Sequence, residues 1–98
     1  MKGKEGLRGV VADRAVRRIR DLASTERVIF THHAETRMSE RGISSIQVFD
    51  VLVRGSVHEP AAPDVHGNWK VTMRRRTAGE TVFVAAALLD DVVVITVF

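Results

Sequence analysis

The hydrophobic period of this chain changes once, near Gly55, and that change limits the fold more than any other feature. Before it, apolar residues recur every three or four positions. After it, they alternate or run together. "GVVADRAVRRIRDLA" sets Val11, Ala15, Ile19 and Leu22 on one stripe, with Arg14, Arg17, Arg18 and Asp21 outside it. A basic amphipathic helix is therefore predicted over 9–23, preceded by a tail at 1–8. "RVIF" reads as a short extended piece. Thr31 is placed to cap a second helix and Gly42 to stop it. Ser44 and Gln47 have capping-box spacing for a third helix, whose apolar face is expected from Ile46, Phe49, Leu52 and Val53 and which Gly55 closes.

Beyond Gly55, "SVHEP" is a strand candidate and "AAPDVHG" reads as a loop, with Pro60 just before it and Pro63 within it. "NWKVTMRRR" alternates, with Trp69, Val71 and Met73 against Lys70, Thr72 and Arg74. "TVFVAAALL" and "VVVITVF" are too apolar for one face to stand fully in water, and Asp90 with Asp91 marks a hairpin turn between them. Helices followed by strands predict an α+β domain. Two to three N-terminal helices should pack on one face of a three- to four-stranded antiparallel sheet. The other face is then open to a ligand or a partner. Ninety-eight residues suffice for one domain with one core.

Composition removes several function classes. With no cysteine there is no disulfide or thiolate metal site, which fits a reducing, cytoplasmic setting. The basic start "MKGKEGLRG" lacks an apolar stretch after it, so no signal peptide is expected. Asp90 and Asp91 interrupt the most apolar run, which argues against a membrane helix. The adjacent His32 and His33 point about 100° apart on a helix and His58 and His66 are separated from them, which does not favour a metal site, and no cofactor is implied. Charge is uneven: residues 1–30 hold eight Lys/Arg against four Asp/Glu, and residues 31–98 hold seven against eight. Twelve of the fifteen cations are arginine, whose planar fork suits phosphate. Nucleic acid or an acidic protein partner is compatible with this balance.

One stretch concentrates the chemistry. In "THHAETRMSERG", His33, Arg37 and Arg41 recur every four residues and share about 80° of helical arc. Ala34 and Met38 point around toward a core, and His32 points away from His33. A row of this kind can hold phosphate oxygens and move a proton. RNA supplies its own nucleophile, the 2′-OH, so cleavage without metal needs a base, an acid and cations for the phosphorane. His33, Arg37 and Arg41, with Lys70, Thr72 or Arg74 from a strand, make up such a set. An ordinary solvated helix face is the competing account, and "RRR" at 74–76 is equally a solvated hairpin end.

These residues also carry a resemblance. His33-Ala34, Arg37-Met38, Arg41-Gly42-Ile43, Gly55 and the closing Ile95-Thr96-Val97-Phe98 resemble the bacterial family called domain of unknown function 4258, over about residues 28–98. That family is similar in arrangement to small toxins of the RelE/ParE and EndoU-type folds. The resemblance implies an RNA-cleaving activity of toxin-like type, with an antitoxin-like partner. It implies His33 as general base or acid, Arg37 and Arg41 as phosphate ligands, and Thr96 with Lys70 or Thr72 on the sheet side. The chain lacks the C-terminal tyrosine common in RelE-type enzymes, and ParE-type members are not ribonucleases. Three readings therefore stand: a metal-independent endoribonuclease, a basic module binding nucleic acid or protein, and an inactive toxin-fold protein. An apolar strand or sheet face is also expected to suit a homodimer.

Overall fold

The computed structural model describes residues 2–98, with side chains from Gly9 onward. Helix α1 spans Lys2–Ser24, β1 Val28–Phe30, α2 His32–Arg41 and α3 Ser45–Arg54. Strands β2 (Ser56–Pro63), β3 (Trp69–Thr77), β4 (Glu80–Leu88) and β5 (Val92–Val97) follow. The chain is α+β, as its period change implies. Three expectations need correction. The helical backbone begins at Lys2, so most of the expected tail is part of α1. Strand β2 continues through Pro63, which shortens the expected loop. The prolines are tolerated there because β2 is an edge strand.

The sheet is the third correction. It has five strands in the order β1-β5-β4-β3-β2, and it is mixed. The added strand is β1, which pairs parallel with β5, Val28 opposite Val92 and Phe30 opposite Val94. Three residues are too few to display a strand period, so only the fold's long-range pairing reveals it.

All three helices contribute to one core on one face of the sheet. Ile19 and Leu22 of α1, Ala34 of α2, and Val48, Val51 and Leu52 of α3 meet Val71, Met73, Val84, Ala86 and Val94. The face of α3 is thus rotated from the expected one: Ile46 is 78% exposed, and Phe49 and Val53 are half-buried. Met38 is likewise half-buried at the core margin.

Local chemistry sets the ends of α2 and the start of α3 where the sequence placed them. The Ala34 N–H donates to the Thr31 hydroxyl at 3.0 Å, and that hydroxyl donates to the Ile95 carbonyl at 2.9 Å. Thr31 therefore caps α2 and ties it to the rim of β5. Gly42 ends α2 at φ 65°, a conformation that disfavours side chains, and Ile43 N–H closes back on the Met38 carbonyl at 2.9 Å. Ser44 and Gln47 form both bonds of a capping box.

Candidate nucleic-acid interface

Strand alternation decides which side chains face away from the helices. Val71 and Met73 of β3 join the core, so Lys70, Thr72, Arg74 and Arg76 stand on the opposite, helix-free face. On β4 the same logic puts Phe83, Ala85 and Ala87 there. Strand β5 departs from alternation. Val94 opposes Ala86 and Thr96 opposes Ala85, which leaves Ile95 as an extra residue. This bulge lets Val94 and Val97 both reach the core while Thr96 faces away from it. Strict alternation would point Thr96 opposite both Ile95 and Val97. It opposes Val97 only, and Ile95 lines the same face.

The register then draws three cross-strand rows on the helix-free face. Glu59, Thr72, Ala85 and Thr96 form the middle one. Ser56, Arg74 and Phe83 lie on one side of it, with Phe98 joined to Phe83 by reciprocal backbone bonds of 2.8 and 2.9 Å. Ala62, Lys70, Ala87, Val93 and Ile29 lie on the other. Alanine at the centre keeps the floor low between the two threonines. A cleft of about 650 Å³ opens at one end, lined by Glu59, Asp64, Lys70, Thr72 and Ile95.

The structure brings Thr72 and Thr96 into one row, flanked by Lys70 and Arg74. It sets His33, Arg37 and Arg41 on another element, α2, whose Ala34 is buried on the helical side. His33 and Arg41 are exposed and Arg37 is half-buried. None of the three makes a side-chain hydrogen bond or ion pair among the described residues. No cleft described takes side chains from both α2 and the strands. Among the described residues no helix is long and apolar enough to cross a membrane, and no group of three His, Asp or Glu is arranged to hold a metal.

Four arginines are committed to neighbours. Arg20 of α1 donates to the Val53 and Gly55 carbonyls at 2.9 and 2.8 Å, satisfying the end of α3. Arg27 pairs with Asp91 at 2.7 Å across the β1–β5 seam. Arg75, between Arg74 and Arg76, turns to the helices and donates to Asp50 at 3.0 Å, and Arg54 stands 3.9 Å from the same carboxylate. Arg74 and Arg76, on the helix-free face, have no such partner among the described residues, nor has Lys70. The "RRR" run is therefore one structural arginine between two outward ones. Sequence reasoning took it as a unit and left Arg76 out of the candidate set, although alternation alone separates 75 from 74 and 76. His58, Phe83 and Phe98 were missed too. Only the bulges of β2 and β5 show that they share this face.

Burial opposes the charge on Asp50, but hydrogen bonds from Arg75 and Thr77 and the charges of Arg75 and Arg54 outweigh it. They hold its carboxyl below the usual carboxylate value. The contribution to stability is complete above the unfolded value of about 4 and is lost as pH falls through the lower folded value. Asp50→Asn should lower the melting temperature at pH 7. The gap between variant and wild type should narrow below pH about 4. A gap that stays constant down to pH 2 would mean Asp50 is not the linked group.

A family model described as domain of unknown function (DUF4258) matches residues 30–98, more than half of the chain. It covers α2, α3 and β2–β5 and leaves out all of α1 and all of β1 but Phe30. No curated protein matches the chain.

Proposed function

We propose that this chain, which belongs to the domain of unknown function family DUF4258, binds RNA through the helix-free face of its sheet. One observation carries the reading. Four arginines on the helical side and at the sheet's seam are committed to carboxylates or carbonyls, whereas Lys70, Arg74 and Arg76 project from β3 without partners among the described residues. Side chains on one strand face repeat every ~6.6–6.8 Å, so β3 offers a regular line of cations. The half-buried Thr96 hydroxyl lies beside that line and can serve sugar or phosphate oxygens, while the buried Thr72 forms the floor next to it. Glu59 is the one carboxylate in the middle row.

Cleavage is the second reading, favoured by the uncommitted His33-Arg37-Arg41 row of α2. In that reading His33 moves the proton of the 2′-OH or of the leaving 5′-oxygen, and Arg37 and Arg41 hold phosphate charge. The toxin-like, metal-independent ribonuclease belongs here.

One assay addresses both. A labelled RNA is titrated with protein in EDTA at several salt concentrations, and its length is followed by gel. Binding should weaken with salt, and Arg74→Ala should reduce the log–log slope by about 0.7, one phosphate contact. Salt-independent association would overturn the binding reading. RNA shortened by wild type but not by His33→Ala would support cleavage. RNA that stays intact with wild type, or is cut equally by His33→Ala, would remove His33 from catalysis.

A further inference from the structure

We propose that the helix-free face carries a stacking site for unpaired RNA bases, formed by the aromatic column of His58, Phe83 and Phe98. The inference rests on the RNA reading above and narrows its substrate to single strands. The chain has four phenylalanines, one tryptophan and no tyrosine, and its phenylalanines are sorted into two pairs. Phe30 and Phe49 meet edge-on at 6.2 Å between β1 and α3. Phe83 and Phe98 lie parallel at 5.1 Å on the opposite face, with 3° between their planes. Core formation accounts for the first pair. The second lies outside the buried core, with Phe98 37% exposed.

His58 completes the column, and the backbone is rearranged to put it there. Val57 opposes Met73 and Glu59 opposes Thr72, so His58 is the unpaired residue of a bulge in β2. Its ring meets Phe83 at 4.8 Å and 68° while remaining exposed. In sheet order β3 lies between β2 and β4, so the imidazole leans over β3 to reach Phe83. Phe83's cross-strand neighbour on β3 is Arg74, with Arg76 two residues further along. The column is thus bordered by the two outward arginines, and the Thr72–Ala85–Thr96 row runs along its other side.

Aromatic rings on an antiparallel sheet, with cations beside them, are what unpaired bases need. The rings accept any base by its face, and the cations hold the backbone. A cross-strand phenylalanine pair alone would be explained by sheet stability. The bulged, exposed histidine and the unpaired arginines are not. A duplex keeps its bases stacked inside and cannot use such a column, so the geometry points to single strands or loops.

The test compares a labelled unstructured 12-mer RNA with an RNA duplex of equal phosphate number, by fluorescence anisotropy in EDTA across a salt series. Wild type should bind the single strand more tightly. His58→Ala and Phe98→Ala should each weaken single-strand binding about fivefold or more, as loss of one stacked base does, and leave the salt slope unchanged. Arg74→Ala should instead lower the slope. Thermal melts check folding, and Phe98→Leu supplies an apolar side chain without a ring if Phe98→Ala is unstable. Equal affinity for duplex and single strand, or wild-type affinity in both His58→Ala and Phe98→Leu, would overturn the stacking site while leaving RNA binding intact. Failure of wild type to bind either RNA at low salt would overturn the RNA reading and the stacking site together.

Discussion

Gly55→Ala should lower the melting temperature by more than about ten degrees. The residue follows α3, at φ −70° and ψ 170°, which any amino acid can adopt. The constraint is space. A Cβ at this position would lie 2.7 Å from the Arg74 carbonyl oxygen and closer still to the Val51 carbonyl oxygen. Both are backbone atoms, so no side chain can swing aside. The Gly55 N–H donates to that same Val51 oxygen at 2.8 Å, and its carbonyl accepts from Arg20 at 2.8 Å. Relief would require moving α3 away from β3 and breaking these bonds. Overpacking costs about 1–3 kcal/mol, and a clash with two backbone atoms belongs at the upper end, about 3 kcal/mol. For a domain of this size that corresponds to roughly 12–24 °C. A calorimetric shift below a few degrees would show that α3 and β3 separate easily.

Leu52→Ala should cost about 2–5 kcal/mol, as removal of a fully buried leucine does. Leu52 is wholly enclosed between α3 and the sheet with Val48 and Val51. Ile46→Ala, on the same helix, should change stability by no more than about 0.5 kcal/mol, because Ile46 faces solvent. The pair of variants fixes the rotation of α3 about its axis. Urea denaturation of both proteins reads the difference directly. Similar costs for the two would mean that Ile46 is covered, either by a rotated helix or by a partner.

That rotation illustrates what was legible in the residues and what was not. The ends of α2 and the start of α3 were, because their causes are local, whereas the start of α1 was not. Thr31, Gly42 and the Ser44–Gln47 pair satisfy backbone groups within a few residues of themselves. The face of α3 was harder. Ile46, Phe49, Leu52 and Val53 make as good an apolar stripe as Val48, Val51 and Leu52, and only the sheet chooses between them. Gly55 was read correctly as a helix stop, but its reason is a strand from a later part of the chain. The α2 row was visible because four-residue spacing is a helical signal. Its relation to Lys70, Thr72, Arg74 and Thr96 was not, because that depends on sheet order and on a bulge at Ile95. The division of the arginines needed both levels. Alternation separates Arg75 from its neighbours, and only the fold shows Asp50 waiting for it.

The pairing of β1 with β5 sets an order of events for the folding chain. Val28 meets Val92 and Thr31 meets Ile95, contacts that span 64 residues, whereas β2–β3, β3–β4 and β4–β5 pair through short connections. Closing so long a loop is slow relative to forming hairpins. During synthesis the first strand and the helix behind it must wait for nearly the whole domain to emerge. The Arg27–Asp91 bridge spans that same seam. Until the seam forms, the edge of β5 stands open, and a second nascent chain offers the same β1 segment. Pairing with the chain's own β1 covers that edge and removes it as a site of exchange between molecules.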